Sequence, residues 1–279
     1  LGDVYKRQTA YSNNDPSPTS LAHGFMLDPG SPSSEYPQAA STNNLLENNV
    51  AYDNEGYGLR ILGSNDNQIL NNFFYQNRQE GLVIDRNSLG NMVAGNRLTK
   101  NASIGLVVRE TANGNTIANN TISENGNHGV YVRANSTIVS GNVITQNLKS
   151  GIALFPAIGI PLLQDNQLLS NTLALNIEHG IDLRKAIKTL VQGNLSERNG
   201  AHGFYLSDAA GQNAIVKNII RNNTNQGIRA NGMQTLSNTW SENAIYGNLL
   251  GGIANTTGAN LQLAPPQLIG AVESTVQGK

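Results

Sequence analysis

A short pattern, glycine followed by an apolar residue, any residue and a second apolar residue, recurs along the chain and constrains its fold more than any other feature. Its glycines are Gly24, Gly58, Gly81, Gly105, Gly129, Gly151, Gly180, Gly203 and Gly227. Successive glycines lie 22 to 24 residues apart, except for intervals of 34 after Gly24 and 29 after Gly151. A period in this range is typical of a solenoid, in which each repeat buries its apolar face against its neighbours.

Two asparagines five positions apart precede every one of these glycines except the first. The pairs are Asn49 and Asn54, Asn72 and Asn77, Asn96 and Asn101, Asn120 and Asn125, Asn142 and Asn147, Asn171 and Asn176, Asn194 and Asn199, Asn218 and Asn223, with a last pair, Asn238 and Asn243, where the apolar pattern fades. Roughly forty asparagines in an aperiodic chain would indicate disorder. Because these keep a register, we predict that equivalent side chains stack on successive coils and hydrogen-bond as internal ladders.

The apolar residues alternate with a period of two over short runs, and no helical period of 3.6 is sustained. Val93, Ile117, Val139 and Leu168 occupy one such position on successive repeats. Three short strands and three turns in each coil of about 23 residues predict an all-β parallel β-helix of nine to ten coils. We expect residues 21–264 to form it, residues 1–20 to be a disordered or non-native leader, and residues 265–279 to be an exit strand or the start of a truncated further domain.

Composition argues against several classes of partner. Only 13% of the residues are charged and the net charge is −1, whereas nucleic acids and anionic membranes require a concentrated basic surface. The longest apolar stretch, residues 152–163, is interrupted by Pro156, Gly159 and Pro161, so no membrane-spanning helix is predicted. Cysteine is absent, which removes disulfides and thiolate metal sites. We expect a monomer with no nucleic-acid partner and no membrane insertion.

One outward face of the predicted coil collects the arginines. The first and third residues after each glycine point into the core, so the second and fourth point outward. We predict that the two outward columns form a groove for an extended acidic ligand. The candidate substrate-binding residues are Arg60, Asp85, Arg86, Arg109, Arg133, Asp182, Arg184 and Tyr205.

A structural interpretation competes with this one for part of the face. On neighbouring coils Asp85 is predicted to stack on Arg109, and Arg86 on Glu110, as ion pairs worth a few tenths of a kcal/mol each. In the same register Arg133 and Arg184 have no carboxylate in the neighbouring rows of their column. These two arginines are therefore the better ligand candidates.

The histidines and the two long repeats also point to this region. All four histidines, His23, His128, His179 and His202, immediately precede a repeat glycine. A turn position that favours histidine explains this as well as catalysis does. The coil of His128 also carries Tyr131, and Asp28 follows the first glycine strand, so the candidate catalytic residues are His23, Asp28, His128 and Tyr131. The extra residues of the long repeats, 28–38 and 155–164, both follow a glycine strand and are predicted to form walls over the same face.

Residues 80–96, EGLVIDRNSLGNMVAGN, resemble a coil of the periplasmic and secreted mannuronan (alginate) C5-epimerases, and a looser match of the repeats extends from Gly24 to Gly151. The resemblance implies a right-handed, single-stranded, pectate-lyase-like solenoid from a bacterium, located in the periplasm, at the cell surface or outside the cell. It implies an acidic polysaccharide as partner. In this family a cation neutralises the substrate carboxylate, a base removes the C5 proton and an acid returns a proton to the opposite face.

The chain departs from the family at its catalytic motif, Tyr-Gly-apolar-Asp-Pro-His-Asp. The equivalent stretch is His23-Gly24-Phe25-Met26-Leu27-Asp28-Pro29-Gly30, with methionine at the aspartate position and Asp28 at the histidine position. An epimerase, a lyase and a non-catalytic carbohydrate-binding β-helix therefore all remain open. No cofactor or metal is predicted, and Ca²⁺ is disfavoured because Asp28, Asp85 and Asp182 lie two or more coils apart.

Overall fold

The computed structural model describes residues 2–14, 22–29, 41–157, 159, 162–256 and 258–262. In these residues the chain winds into a right-handed solenoid in which each coil adds one parallel strand to each of three ten-stranded sheets, A, B and C. This arrangement confirms the predicted all-β parallel β-helix. No helix in the described ranges is long and apolar enough to cross a membrane.

The strands are short, and successive strands of one sheet come from successive coils. Sheet A contains Val4–Lys6, Leu45–Glu47, Gln68–Leu70, Met92–Ala94, Thr116–Ala118, Ile138–Ser140, Gln167–Leu169, Leu190–Gln192, Ala214–Val216 and Thr239–Ser241. Sheet B contains Thr9–Tyr11, Val50–Tyr52, Phe73–Tyr75, Arg97–Thr99, Thr121–Ser123, Val143–Thr145, Thr172–Ala174, Leu195–Glu197, Ile219–Arg221 and Ala244–Tyr246.

Sheet C contains the glycine-led strands, Phe25–Leu27, Leu59–Leu62, Leu82–Asp85, Leu106–Val108, Val130–Val132, Ile152–Leu154, Ile181–Arg184, Phe204–Ser207, Ile228–Asn231 and Ile253–Thr256. A further pair, Leu163–Gln164 with Ala186–Ile187, and a 3₁₀ helix, Ala259–Gln262, complete the described elements.

Inward-facing apolar residues stack between the three sheets as one continuous core. Val93, Ile117, Val139 and Leu168, which the sequence places in register, are completely buried in sheet A. Exposing apolar side chains to solvent costs free energy, so the side of each strand that carries the apolar residues enters the core. The period of two in the sequence therefore specifies that side.

The asparagines form ladders between coils, as predicted. The backbone N–H and the Nδ2 of Asn72 both donate to Oδ1 of Asn96, at 2.8 and 2.9 Å, and Nδ2 also donates to the carbonyl of Leu46 at 2.9 Å. The same pattern relates Asn77 to Asn101 at 3.1 and 3.0 Å. Each rung thereby supplies partners for buried backbone groups at a corner where the sheets provide none.

A third ladder, which the sequence reasoning missed, lies at the corner before sheet A. Its members are Asn44, Asn67, Asn91, Asn115, Asn166, Asn213, Asn238 and Asn260, with threonines at positions 137 and 189. The missed signal was an asparagine five residues before the first member of most pairs. The register also corrects the last predicted pair, because Asn243 continues one ladder and Asn248 the next, while Asn238 belongs to the third.

The repeat glycines permit a close approach between coils. A Cβ atom at Gly81 would lie 2.7 Å from the Gly105 carbonyl oxygen and 2.7 Å from Nδ2 of Asn101. Any side chain would therefore collide with the backbone of the next coil and with the asparagine ladder.

The predicted leader is corrected by the structure at its first part. Val4–Lys6 pairs in register with Leu45–Glu47, and Thr9–Tyr11 pairs with Val50–Tyr52, so both strands belong to the solenoid. Asp3 donates its backbone N–H to Oδ1 of Asn44 at 2.8 Å. These residues lacked the repeat glycine spacing, but they have the alternation that a stacked strand needs. The predicted boundary at 265–279 lies outside the described residues.

Candidate functional site

The outward side of sheet C, which we call the C face, carries three rows of side chains. Two are the predicted columns, at the second and fourth positions after each glycine. The sequence reasoning missed one further row, formed by the residue before each glycine, whose members contact the neighbouring column. We call it the first row, and the column at the second position after each glycine the second row. The first row contains His23, Tyr57, Glu80, Ile104, His128, Ser150, His179, His202 and Gln226.

Part of the second row is covered rather than exposed. Val83 and Val107 are 0% and 2% exposed because they pack with Tyr57 and Ile104 of the first row and with Tyr131. This small apolar cluster lies outside the main core. It gives the C face a rigid floor between its charged groups.

Asp85 joins two arginines from different coils. Its Oδ2 accepts hydrogen bonds from Nη2 of Arg60 at 2.8 Å and from Nη1 of Arg109 at 3.2 Å, and the residue is only 3% exposed. Nη2 of Arg109 also donates to the Tyr57 hydroxyl at 3.1 Å and lies 4.0 Å from Oε1 of Glu80. The predicted pair of Asp85 and Arg109 is confirmed, and one carboxylate serves two guanidinium groups.

The other predicted pairing is wrong. Glu110 pairs with Arg133 rather than with Arg86, so Arg133 does have a carboxylate partner. Arg86 is the fifth residue after Gly81, outside both columns, and begins the turn after the strand with a positive φ of 25°. Together these groups line a hollow of about 450 Å³ whose walls are Arg60, Asp85, Arg86, Arg109, Glu110, Thr111 and Arg133. With four arginines and two carboxylates, these walls have a net charge of +2.

Arg184 lies two coils after Arg133, and its guanidinium contacts a carboxylate and two aromatic rings. Asp182, two residues earlier on the same strand, accepts from its Nε at 3.2 Å and from its Nη2 at 2.9 Å. The prediction compared Arg184 only with the neighbouring rows of its own column and so did not include this carboxylate. Its guanidinium lies 4.5 Å from the Phe155 ring centre and 5.8 Å from that of Tyr205. The side chain nevertheless remains 40% exposed. Arg184 is therefore oriented and accessible at the same time.

Asp182 is a completely buried carboxylate, at 0% exposure. Burial raises the pKa of Asp182 to about 6, and the hydrogen bonds and charge of Arg184 offset part of that rise. Asp182 therefore reaches no ligand directly. Its contact with Arg184 makes it a positioning group.

The four histidines form part of the connection between coils. Nδ1 of His23 accepts the backbone N–H of Tyr57 at 3.1 Å, and Nδ1 of His128 accepts that of Ser150 at 3.2 Å. His179 and His202 accept from His202 and Gln226 in the same way, at 3.2 and 3.3 Å. These hydrogen bonds give the position the structural role that the turn interpretation expects.

The same contacts determine what the histidines can do chemically. Burial is the main cause that lowers the pKa of His128 and of His202 to about 4, so both are neutral at pH 7. Because Nδ1 accepts a hydrogen bond, the proton of the neutral ring resides on Nε2. A histidine in this state donates a hydrogen bond but has no free lone pair with which to remove a proton.

Aromatic side chains surround the centre of the face. Tyr131 lies 5.5 Å from both the His128 and the Phe155 ring centres, and its ring is 5.6 Å from the guanidinium carbon of Arg133. Burial is the main cause that raises the pKa of Tyr131, so its hydroxyl keeps its proton at neutral pH. Phe155 begins the second long loop, which places at least this part of the loop on the C face as predicted.

The remaining catalytic candidates are separated from this centre. His23 stacks on Tyr57 at 4.6 Å between ring centres, whereas Asp28 lines a different hollow of about 300 Å³ with Asp3 and residues 41–44. The first long loop, at 30–38, lies outside the described residues. No group of three or more metal-ligating histidines or carboxylates occurs within the described part of the chain.

Comparisons with known proteins agree with this architecture. The family model for the right-handed β-helix region matches residues 38–157 and 157–265. A crystal structure of a double mutant of the periplasmic alginate epimerase AlgG is 20% identical, with a TM-score of 0.56, over 76% of this chain and 50% of that one. The A-module of the Azotobacter vinelandii mannuronan C-5 epimerase AlgE4 is 14% identical, with a TM-score of 0.63, over 79% of this chain and 74% of that one.

A tailspike protein, Dettilon gp208, is also similar, at 14% identity and a TM-score of 0.53 over 90% of this chain and 60% of that one. No curated protein sequence matches the chain significantly. The chain spans about half the length of the AlgG structure. Identities this low show a shared fold alone. By its family match and its coils, the chain belongs to the right-handed β-helix family.

Proposed function

We propose that the C face binds an acidic polysaccharide, a polymer that carries uronate carboxylates, along the axis of the solenoid. The observation that carries this proposal is the hollow between Arg60 and Arg133, with its net charge of +2 in a chain whose overall charge is −1. Arginine recognises carboxylates through parallel N–H donors, which a point charge cannot reproduce.

The arrangement of Arg184 supports the same ligand class. Asp182 and the flanking rings hold its guanidinium in place, so less side-chain entropy is lost when a carboxylate binds. Coils advance by about 4.8 Å, so Arg133 and Arg184 are roughly 10 Å apart along the axis. Two anchored arginines at this separation suit a ligand with several carboxylates along one chain, and Tyr131 and Phe155 offer apolar ring surface between them.

The structurally similar proteins support this proposal at a coarser level. Alginate epimerases act on a polysaccharide, and one of those compared is periplasmic. We place this protein in the periplasm or outside the cell of a bacterium, where such polymers occur.

Binding has better support than turnover. Epimerisation and lyase cleavage both begin with a base that removes the C5 proton, and the Nδ1 atom of His23 and of His128 already accepts a backbone hydrogen bond. Uronate epimerisation stays a second candidate on one observation. Tyr131 is a phenol that keeps its proton at neutral pH and lies beside Arg133, and we propose it as the acid of such a reaction.

Binding is tested with oligomannuronate by isothermal titration calorimetry, with a neutral oligosaccharide of the same length for comparison. Arg133→Gln and Arg184→Gln are each expected to weaken binding about tenfold, the loss of one charged hydrogen-bonding group. Lys217→Gln is the matched control, because Lys217 is also paired across coils, at 3.6 Å from Glu242, but lies at the corner after a strand of sheet A. Unchanged affinity in both arginine variants would refute the assignment of the C face.

Proton NMR of the polymer after incubation separates binding from catalysis. New guluronate signals would indicate an epimerase, and unsaturated chain ends a lyase. If either product forms, Tyr131→Phe should abolish it, whereas binding to the oligomer should be almost unchanged.

A further inference from the structure

The last coils of the C face contain an arginine that differs from the others. Arg60, Arg109, Arg133 and Arg184 each contact a carboxylate, whereas Arg229 forms no ion pair within the described part of the chain. Its Nε is buried and has no hydrogen-bond partner there, which is also true of Nε of Arg60 and of Arg133, but those two guanidinium groups reach a carboxylate through Nη2. A buried charged donor without a partner costs free energy, so such an atom calls for an explanation.

A second unpartnered group lies on the same coil. Oε1 of Gln226, in the first row, is buried without a hydrogen-bond partner among the described residues. Gln226 and Arg229 occupy the same two row positions as His202 and Tyr205 on the preceding coil, whose ring centres are 5.5 Å apart. One unsatisfied donor and one unsatisfied acceptor therefore lie side by side on the face.

The next coil leaves space beside them. Arg229 pairs in register with Ala254, and the first-row position after Gln226 is Gly251. A Cβ atom at Gly251 would have nothing within 4 Å. On the other side Asn231 is fixed, since its Nδ2 donates to the Tyr205 hydroxyl at 3.2 Å and its Oδ1 accepts from Thr256 at 2.7 Å. The space beside Gly251 is therefore unfilled, and the fixed Asn231 side chain borders the region on its other side.

We propose that Gln226, Arg229 and the space beside Gly251 form a subsite for one hexuronate residue. Its carboxylate accepts from the terminal N–H groups of the partly exposed Arg229 guanidinium, and the partly exposed Gln226 side chain rotates to present Oε1 to a ring hydroxyl, which donates to it. A neutral sugar lacks the acceptor charge, and sulfate or chloride lacks the donor, so a hydroxylated carboxylate fits both groups. The subsite rests on the proposed function, as a position roughly 10 Å, or two coils, beyond Arg184 in the same groove.

The test follows the arginine Nε–H signals of ¹⁵N-labelled protein during titration with free glucuronate, with glucose as the neutral control. Arg229→Lys identifies the Arg229 signal by its disappearance. That signal is expected to shift saturably with glucuronate and not with glucose. Gln226→Leu should raise the apparent Kd about fivefold, the loss of one hydrogen bond. Gln226→Glu, which keeps the size but adds a competing carboxylate, should abolish the shift, while Lys217→Gln should leave it unchanged.

Two results would overturn the subsite. One is an Arg229 signal that stays constant up to saturation of the protein with oligomannuronate. The other is an Arg229 Nε–H signal that shifts in the Gln226→Leu variant but does not respond to glucuronate. That result would mean that Arg229 and Gln226 hydrogen-bond to each other and not to a ligand. Parallel calorimetry with the oligomer keeps the two proposals apart. Polymer binding with a silent Arg229 refutes only the subsite, and a glucuronate response without polymer binding refutes only the proposed function.

Discussion

Replacing Thr189 with asparagine should stabilise the protein, because it repairs a break in the third ladder. Asn166 precedes Thr189 on that ladder, and its buried Nδ2 has no hydrogen-bond partner among the described residues. The buried hydroxyl of Thr189 is also without one. An asparagine at 189 presents Oδ1 where threonine has a shorter side chain, and Asn213 already supplies the next acceptor, at 2.8 Å from the Thr189 backbone nitrogen.

The magnitude follows from an intact rung. Asn67 donates to Oδ1 of Asn91 from its backbone nitrogen at 3.0 Å and from Nδ2 at 2.8 Å. The substitution creates two such bonds and removes two unsatisfied groups, each of the bonds worth about 1 kcal/mol net. Ordering the longer side chain costs up to about 1 kcal/mol. We expect a gain of about 1–3 kcal/mol in the free energy of unfolding, and about 2–4 °C in Tm for each kcal/mol.

Thermal and urea unfolding followed by circular dichroism measure the change. Asn91→Thr is the converse variant and should lose a comparable amount. Thr137→Asn is the matched control with a smaller expected gain, because Nδ2 of the preceding Asn115 already donates to Ser88 and Ala112, at 2.9 and 2.7 Å. A Thr189→Asn protein no more stable than the parent, together with a destabilised Asn91→Thr, would show that the unpaired amide at 166 carries no cost.

Three further outcomes test other parts of the structure. Gly105→Ala should cost about 1–3 kcal/mol in unfolding free energy, because its Cβ would lie 2.7 Å from the Gly129 carbonyl oxygen, whereas Gly252→Ala, with its nearest contact at 3.8 Å, should be nearly neutral. Asp182→Asn should raise the free energy of unfolding at pH 7. The raised pKa of Asp182 means that its stabilising contribution is present below pH 3.8 and is lost as the pH rises through about 6. The same variant should bind oligouronate more weakly, and normal binding would contradict the positioning role. The pKa values of His128 and His202 are lowered to about 4, so their stabilising contribution is present above pH 6.5 and is lost as the pH falls toward 4. Urea unfolding should therefore show a less stable protein at pH 4.5 than at pH 7, and the double variant His128→Gln, His202→Gln should show a smaller difference. An equal difference would exclude these rings as the cause.

Much of the fold is predictable from the sequence because the repeat is strict. The glycine register and the asparagine pairs predict a coil of constant length, and the alternation of apolar residues identifies the core side of each strand. Two of the three ladders follow directly. The third escaped notice because threonine interrupts it at 137 and 189, and the strands at 4–6 and 9–11 escaped because their coil lacks the regular spacing.

The candidate site was only partly predictable. Column positions correctly bring Asp85 to Arg109, but they cannot show that Glu110 turns to Arg133 or that Arg184 is held by a residue of its own strand. Side-chain rotation decides those partners, and the column register does not extend to Arg86 and Glu110, which lie in the turns after their strands.

The solenoid, its period, its core and the face on which the arginines gather all follow from the repeat in the sequence, because stacking at a constant rise repeats every local choice on the next coil. How much charge that face leaves uncompensated depends instead on the side-chain contacts of the folded chain. Ion pairing depends on distances of 3 to 4 Å between side chains that the fold brings together, and Asp182 is buried within a sheet in which Ala153 and Tyr205 are its register partners on the neighbouring strands. The folded arrangement pairs Arg133 with Glu110 and Arg184 with Asp182, and it leaves Arg229 without an ion-pair partner among the described residues.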